Sequence, residues 1–242
     1  MHGMILAAGR GERMRPLTDH TPKPLLKVGH QTLIEWQMER LIQAGVTQLV
    51  INTAHLGEQI PGHLGDGSRH GAQIRYSPEP PGALETAGGI ATAEPWCFED
   101  SSHPLFALAN GDVFIDLDWG PLLKFCDSQW PQDAQAMLVM VPNPDHHPKG
   151  DFLAPSQMLG LPYQLETMGP SEHTQSDSQT YAGVGVFHRS LFAHCTPGVR
   201  APLGPLLRQA ASAGQLWGWL HEGLWVDVGT PERLSALNER IK

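Results

Sequence analysis

Short apolar runs alternate with stretches of helical periodicity through the first half of the chain. Met4–Ala8, Gln48–Thr53, Gln73–Ser77, Leu105–Ala109 and Ala136–Val141 are each apolar for about the length of one buried strand. Between the first two, Ile34, Met38, Leu41 and Ile42 repeat at the spacing of one helix face, and Gly45 follows as a stop signal. Strands separated by amphipathic helices predict an α/β fold, with a Rossmann-like, mainly parallel central sheet and flanking helices. After about Asn143 the apolar runs shorten. Met158–Leu161, Tyr163–Glu166, Thr180–His188 and Trp217–His221 read as strands of a smaller, β-rich lobe, and the polar stretch Met168–Gln179 as a surface loop. Thr230, Pro231, Leu234, Leu237 and Ile241 predict a capped C-terminal helix. No internal repeat interrupts this order, so a single domain over 1–242 is expected, and no further domain is expected after Asp227.

Composition narrows the classes of partner. A formal charge of -9 opposes a non-specific grip on nucleic acid, which needs a basic surface to displace phosphate counterions. No run approaches the roughly 20 apolar residues that span a bilayer, and no secretory leader precedes the first strand, so a cytoplasmic protein is expected. Cys97, Cys126 and Cys195 lack metal-ligand spacing and read as packing residues. The adjacent His146 and His147 are not expected to share one ion, since neighbouring side chains seldom converge.

The chemistry begins at the end of the first strand. Leu6-Ala7-Ala8-Gly9-Arg10-Gly11-Glu12-Arg13-Met14-Arg15-Pro16 is a glycine-containing turn in which backbone N–H groups can converge on a phosphate. It is not a dinucleotide fingerprint: Met14 stands where a third glycine is required, and the second strand ends at Asn52-Thr53 without an acidic residue. The Walker spacing is absent too. Arg10, Arg13, Arg15 and Lys23 supply cations beside the turn, and Pro22 and Pro24 restrict the backbone around Lys23. Two aspartates stand at the tips of later apolar runs, Asp112 after Leu105–Ala109 and Asp227 after Leu224-Trp225-Val226. Hard carboxylate oxygens of this kind suit Mg²⁺, which fills its other positions with water and phosphate.

The run from Leu6 to Val28 resembles the signature of the sugar-1-phosphate nucleotidyltransferases, roughly LAxGxGxRxxPxTxxxPKPLxxV. It agrees at Leu6, Ala7, Gly9, Gly11, Arg13, Pro16, Thr18, Pro22, Lys23, Pro24, Leu25 and Val28. Asn110-Gly111-Asp112 and Trp225-Val226-Asp227-Val228-Gly229-Thr230 are similar to the family's two metal-binding motifs, and Glu79 to Gly89 to its base-binding loop, often written EPLGTAGG. The resemblance implies the nucleotide-diphospho-sugar transferase fold, with 1–112 mainly nucleotide-binding and 113–242 mainly sugar-binding. It implies Arg13, Lys23, Asp112 and Asp227 as catalytic residues, and the two aspartates as Mg²⁺ ligands. Ala8, Gly9, Gly11, Glu12, Arg13, Lys23, Glu79, Gly82 and Thr86 would contact the nucleotide, and Gly88-Gly89 would let a helix N-terminus approach it. Asn110, Gly150, Asp151, Glu166 and Gly183 would contact the sugar.

The family's Glu-Lys pair is missing, since Thr167-Met168 follows Glu166; Lys149 is the candidate replacement. The implied partners are small molecules, a nucleoside triphosphate and a sugar 1-phosphate, used by a monomer or small homo-oligomer. The short length, the HHxxGDF run and the LETxGG form of the base loop are most similar to the uridylyl-transferring branch active in peptidoglycan recycling, which implies UTP and N-acetylmuramate 1-phosphate. Guanylyl transfer to mannose 1-phosphate, thymidylyl transfer to glucose 1-phosphate, and a non-catalytic nucleotide-sugar sensor remain alternatives.

Overall fold

The computed structural model describes residues 1–80, 84–98, 103–154, 162–168 and 178–241. In chain order its elements are β1 (His2–Ala7), β2 (Lys27–Val28), β3 (Gln31–Thr32), α1 (Leu33–Gln43), β4 (Gln48–Thr53), α2 (Gln59–Leu64), β5 (Gln73–Pro78) and α3 (Glu85–Phe98). There follow β6 (Leu105–Asn110), β7 (Val113–Ile115), α4 (Trp119–Gln129), β8 (Ala136–Val141), β9 (Phe152–Leu153), β10 (Tyr163–Gln164) and β11 (Glu166–Thr167). The chain ends with β12 (Ser178–His188), α5 (Leu203–Ser212), β13 (Leu216–Leu220), β14 (Trp225–Asp227) and α6 (Pro231–Arg240).

The main sheet runs in the order β10-β13-β8-β12-β6-β1-β4-β5. β5, β4, β1 and β6 are parallel neighbours, and β13 is parallel to β8. β12 enters antiparallel to both β6 and β8. Alternating side chains feed two cores, one on each face. Ile5, Ile51, Ala107 and Ala109 point to the side covered by α1, α2 and α4, whereas Met4, Val50, Phe106 and Leu108 point to the side covered by α3 and α5. Burial on both faces explains why β4, β6 and β8 are continuous apolar runs instead of alternating ones.

α1 forms because Ile34, Met38 and Leu41 share one buried face and because its first turn is closed reciprocally. Thr32 accepts the Glu35 N–H through its hydroxyl, while the Glu35 carboxylate accepts the Thr32 N–H at 2.8 Å. Such a box is worth about 1 kcal/mol. Gly45, at φ +86, then turns the chain out of the helix as expected.

The expected smaller lobe is corrected in one respect. Thr180–His188 belongs to β12 and Trp217–Leu220 to β13 of the main sheet; among the described residues, β9 with β11, β14 with β7 and β2 with β3 pair away from its path, and β9 also pairs with β12. Hydrophobic patterning records that a strand is buried, but not which neighbour buries it. The expected strand Tyr163–Glu166 is divided at Leu165, whose side chain is fully buried: β10 pairs with β13 and β11 with β9. Gln179, expected in a loop, lies within β12. The expected strand Met158–Leu161 lies outside the described residues.

Candidate active site

A third apolar cluster, beneath the strand tips, joins Met14, Leu26, Val28, Leu33, Phe114, Val228, Leu234 and Leu237. It fastens the glycine turn, the segment after Lys23 and the C-terminal Asp227-Val228-Gly229 segment to one base. Met14, only 1% exposed, is its plug. The residue that breaks the dinucleotide pattern therefore anchors the turn by packing.

Above this base the turn leaves β1. Gly11 takes φ +62, and a Cβ there would meet Thr18 at 3.0 Å and Lys23 at 3.1 Å. The Thr18 hydroxyl donates to the Gly11 carbonyl at 2.9 Å. A Cβ on Gly9 would meet no protein atom within 4 Å, so this position opens on the cavity. Lys23 is buried to 6% exposure, and its ammonium donates to Asp112 Oδ2 at 2.6 Å. Asp112 is fixed in turn by the Gly111 N–H, which donates to the Leu6 carbonyl at 2.8 Å.

β14 brings the second aspartate alongside, because Asp227 pairs with Val113, the neighbour of Asp112. Trp225 secures β14 from the other side, donating from Nε1 to the Ala182 carbonyl at 2.9 Å. Gly229 marks where the charges meet. A Cβ built on it would lie 3.1 Å from Asp227 Oδ2, 3.0 Å from Arg233 Nη1 and 3.5 Å from Arg13 Nη1. Arg233 donates to Asp227 Oδ2 at 2.9 Å. Sequence reasoning missed Arg233, which reads as an ordinary first-turn residue of α6. His146 also reaches this group, with Nε2 3.8 Å from Asp227 Oδ2. Burial first, and then the Arg233 guanidinium, holds the His146 imidazole below its usual pKa, against the opposing pull of Asp227. His147 turns instead to Asp151 at 3.1 Å, so the two histidines diverge.

The base-loop residues are tied to one another. Asn52 accepts the Ala7 N–H at 2.8 Å and donates to Glu79 Oε1 at 2.6 Å, while Glu79 Oε2 accepts the Leu84 N–H at 2.9 Å. Glu79 thus holds the loop root with both oxygens. Gly88 and Gly89, expected to let a helix N-terminus approach the nucleotide, are each packed close against other protein atoms. A Cβ on Gly88 would lie 2.4 Å from the Val199 carbonyl, and one on Gly89 would lie 2.4 Å from Glu79 Oε1. The two glycines make room for protein atoms.

The lining of a cavity of about 450 Å³ includes Ala8, Gly9, Gly11, Glu12, Arg13, Lys23, Glu79, Thr86, Asn110 and Asp112, with Gly229 at the Asp227 side. It also includes Glu85, which was not anticipated. The signal was available, since Glu85 stands in LETAGG where the family loop has LGTAGG. Of the expected sugar residues, only Asn110 is part of this lining. Gly183, at φ +80, packs against Asn110 with 2.7 Å between its built Cβ and the amide nitrogen. Gly150 packs on Asn143 and Gln179, and Asp151 accepts the Tyr181 N–H at 2.9 Å, so this pair pins the loop after β8 to β12. Glu166 is exposed on β11, and Lys149 is exposed. Gly82 lies outside the described residues.

Cys97 and Cys126 are buried, and burial pushes both thiols up to about 12, which fits packing residues. Among the described residues no group of three His, Cys, Asp or Glu side chains could hold a metal ion. No described helix is long and apolar enough to cross a membrane. Asp112 in the cavity wall and Asp227 beside Gly229 still match the donor set of a Mg²⁺ that takes its remaining ligands from phosphate and water.

Residues 2–150 match the family described as nucleotidyl transferase. The chain is 47% identical over 236 residues to the N-acetylmuramate alpha-1-phosphate uridylyltransferase of Neisseria meningitidis serogroup B, covering 97% of this chain and 96% of the relative. It is 30% identical over 251 residues to the protein of the same name from Caulobacter vibrioides, covering 98% and 96%. Among solved structures, the UDP-glucose pyrophosphorylase of Acinetobacter baumanii superposes with a TM-score of 0.78 at 14% identity, covering 99% of this chain and 93% of the other, a likeness of fold.

Proposed function

Because this chain belongs to the nucleotidyl transferase family, we propose that it transfers a uridylyl group from UTP to N-acetylmuramic acid α-1-phosphate, releasing pyrophosphate and the UDP-sugar. The observation that carries the reading is the pairing of Lys23 with Asp112 and of Arg233 with Asp227, with Arg13 reaching the same Gly229, on the wall of one glycine-lined cavity. The relatives from Neisseria meningitidis and Caulobacter vibrioides support the choice of donor and sugar.

In the proposed reaction an oxygen of the sugar phosphate attacks the α-phosphorus of UTP in line. A new P–O bond forms as the bond to pyrophosphate breaks, and the electron pair leaves on pyrophosphate. The nucleophile is already anionic, so no general base is required. The obstacle is charge, because one anion approaches another while a third departs. The open backbone at Gly9 admits the triphosphate, and Arg13 and Lys23 neutralise the oxygens of the departing pyrophosphate. Asp112 and Asp227 would hold Mg²⁺, whose charge would be shared with the phosphate oxygens when it is bound. Glu79 and Asn52 keep the base loop in register with the glycine turn, which is a contribution of positioning.

On this reading 1–112 takes mainly the nucleotide and 113–242 mainly the sugar. Asn110, Gly150, Asp151, Glu166 and Gly183 serve the sugar side, and Lys149 supplies a phosphate cation there. The setting is cytoplasmic peptidoglycan recycling by a monomer or small homo-oligomer; the free cysteines are in keeping with a reducing compartment.

The test is a panel of UTP, GTP and dTTP against N-acetylmuramate, mannose and glucose 1-phosphates, scored by pyrophosphate release with and without magnesium. Turnover should concentrate on UTP with N-acetylmuramate 1-phosphate and should require the metal. Preferred turnover of another pair, or nucleotide-sugar binding without turnover, would overturn the reading.

A further inference from the structure

Glu85 carries two features at once. Its φ is +57, one of three positive values among the described residues other than glycine, and it lines the nucleotide cavity beside Thr86. L-residues avoid this backbone region, so something must hold Glu85 in it. The structure supplies that hold from far along the chain. Arg200, on the segment between β12 and α5, makes an ion pair with the Glu85 carboxylate.

The residues around Arg200 are joined to the same helix start. The Ala201 N–H donates to the Leu84 carbonyl at 2.9 Å, and the Ala201 carbonyl accepts the N–H groups of Ala87 at 3.0 Å and Gly88 at 3.1 Å. The Gly198 N–H donates to the Thr92 hydroxyl at 2.9 Å, and that hydroxyl donates to the Gly88 carbonyl at 2.7 Å. The absent Cβ of Gly88 lets the Val199 carbonyl approach this closely. The segment 198–201 therefore lies along the first two turns of α3 and uses the amides of Ala87 and Gly88. Those amides are not available to an anion.

We propose that Arg200 is a positioning residue for nucleotide binding, acting through Glu85 as a latch on the cavity mouth. It performs two tasks. It holds Glu85 in its left-handed conformation, which sets Leu84 and Thr86, and it neutralises a carboxylate that would otherwise face an incoming triphosphate. Arg200 is too exposed for its ion pair to matter much to overall stability. Its effect is on the shape and charge of the mouth.

Glycine at position 85 would make the latch unnecessary, because glycine adopts positive φ freely and carries no carboxylate. This gives a rescue test, resting on the reading that the cavity takes a nucleoside triphosphate. UTP binding is titrated directly, without sugar phosphate, for the wild type, Arg200→Ala, Arg200→Lys, Glu85→Gly and the Glu85→Gly/Arg200→Ala double variant; KM and kcat are measured in parallel. Arg200→Ala should weaken UTP binding and raise its KM about twofold to fivefold with kcat within about twofold, while Arg200→Lys keeps most of the affinity. The double variant should bind UTP as Glu85→Gly does, so that the loss caused by Arg200→Ala disappears once position 85 is glycine.

Equal affinity of the wild type and Arg200→Ala would overturn the latch. So would a double variant weaker than Glu85→Gly, since Arg200 would then act independently of Glu85. If Arg200→Ala does not fold, the double variant is compared with Glu85→Gly: equal affinity supports the latch, and a weaker double variant refutes it. A wild type that binds no nucleoside triphosphate would instead remove the reading of the cavity.

Discussion

Gly89→Ala tests whether the Glu79–Asn52 pair sets the nucleotide cavity. The added methyl would lie 2.4 Å from Glu79 Oε1 and 2.9 Å from Asn52 Nδ2, where ordinary contact begins at 3.4 Å. The carboxylate would have to retreat by about 1 Å, the difference between 2.4 and 3.4 Å. Both of its oxygens are engaged, with Asn52 at 2.6 Å and the Leu84 N–H at 2.9 Å, so retreat breaks at least one bond to a charged acceptor. Losing such a bond costs about 1.5–3 kcal/mol. Alanine offsets about 1 kcal/mol of this by its helix propensity. A net loss of about 0.5–2 kcal/mol should lower Tm by about 1–8 °C for a chain of this size. The shift also reaches the phosphate site, because Asn52 accepts the Ala7 N–H at the root of the glycine turn. The KM for the nucleoside triphosphate should rise about tenfold, equal to about 1.4 kcal/mol of binding. Differential scanning fluorimetry and a pyrophosphate-release assay measure the two effects. An unchanged or raised Tm together with a KM within about twofold of wild type would refute the argument.

Gly9→Ala makes the complementary case: its methyl meets no protein atom within 4 Å, so Tm should hold while nucleotide affinity falls; a fall in Tm with intact affinity would place the loop differently. Lys23→Met removes the buried ammonium at near-constant volume and should lower kcat about 10²- to 10³-fold, as losing one charge-stabilising donor does. A kcat within about tenfold would show that Lys23 serves only Asp112. Burial alone would raise the Glu35 pKa, but the Thr32 hydroxyl and N–H, with His63, hold it below 4.5. A lowered carboxylate pKa stabilises the fold above the unfolded value, and that contribution is lost as pH falls through the folded value. The Tm advantage of wild type over Glu35→Gln should accordingly be full at pH 7 and shrink below pH 4.5; an advantage that grows on acidification would contradict the sign.

The elements most legible in the sequence were those whose signal is local. Gln48–Thr53 and Ala136–Val141 emerged with the expected bounds because strands covered on both faces have no polar interruption. The glycine turn and the two aspartates could be joined because each stands at a strand tip, where tips of neighbouring strands meet, and Lys23 by its place in the motif shared with the family. What escaped depends on neighbour order or on long-range approach. β12 could not be assigned to the space between β6 and β8, since burial carries no record of the adjacent strand. Arg233 and His146 reach Asp227 from different segments, and neither shows this in its local pattern. Glu79 sits where a base-reading residue was expected, yet its contacts to Asn52 and Leu84 show a brace, and only Gly89 hints at the room that brace requires.

The antiparallel insertion of β12 has a mechanical consequence. Its ladder to β6 joins the second half of the chain to the first, and its ladder to β8 ties the same strand into the second half, so the sheet runs through β12 as one continuous girder. A hinge between the two halves would have to tear the five-register β12–β6 ladder from Leu105–His188 to Ala109–Val184. Access for reactants must then come from flexing of the rims while the girder keeps the two aspartates at a constant separation, and hydrogen exchange should be slowest in the amides of β12.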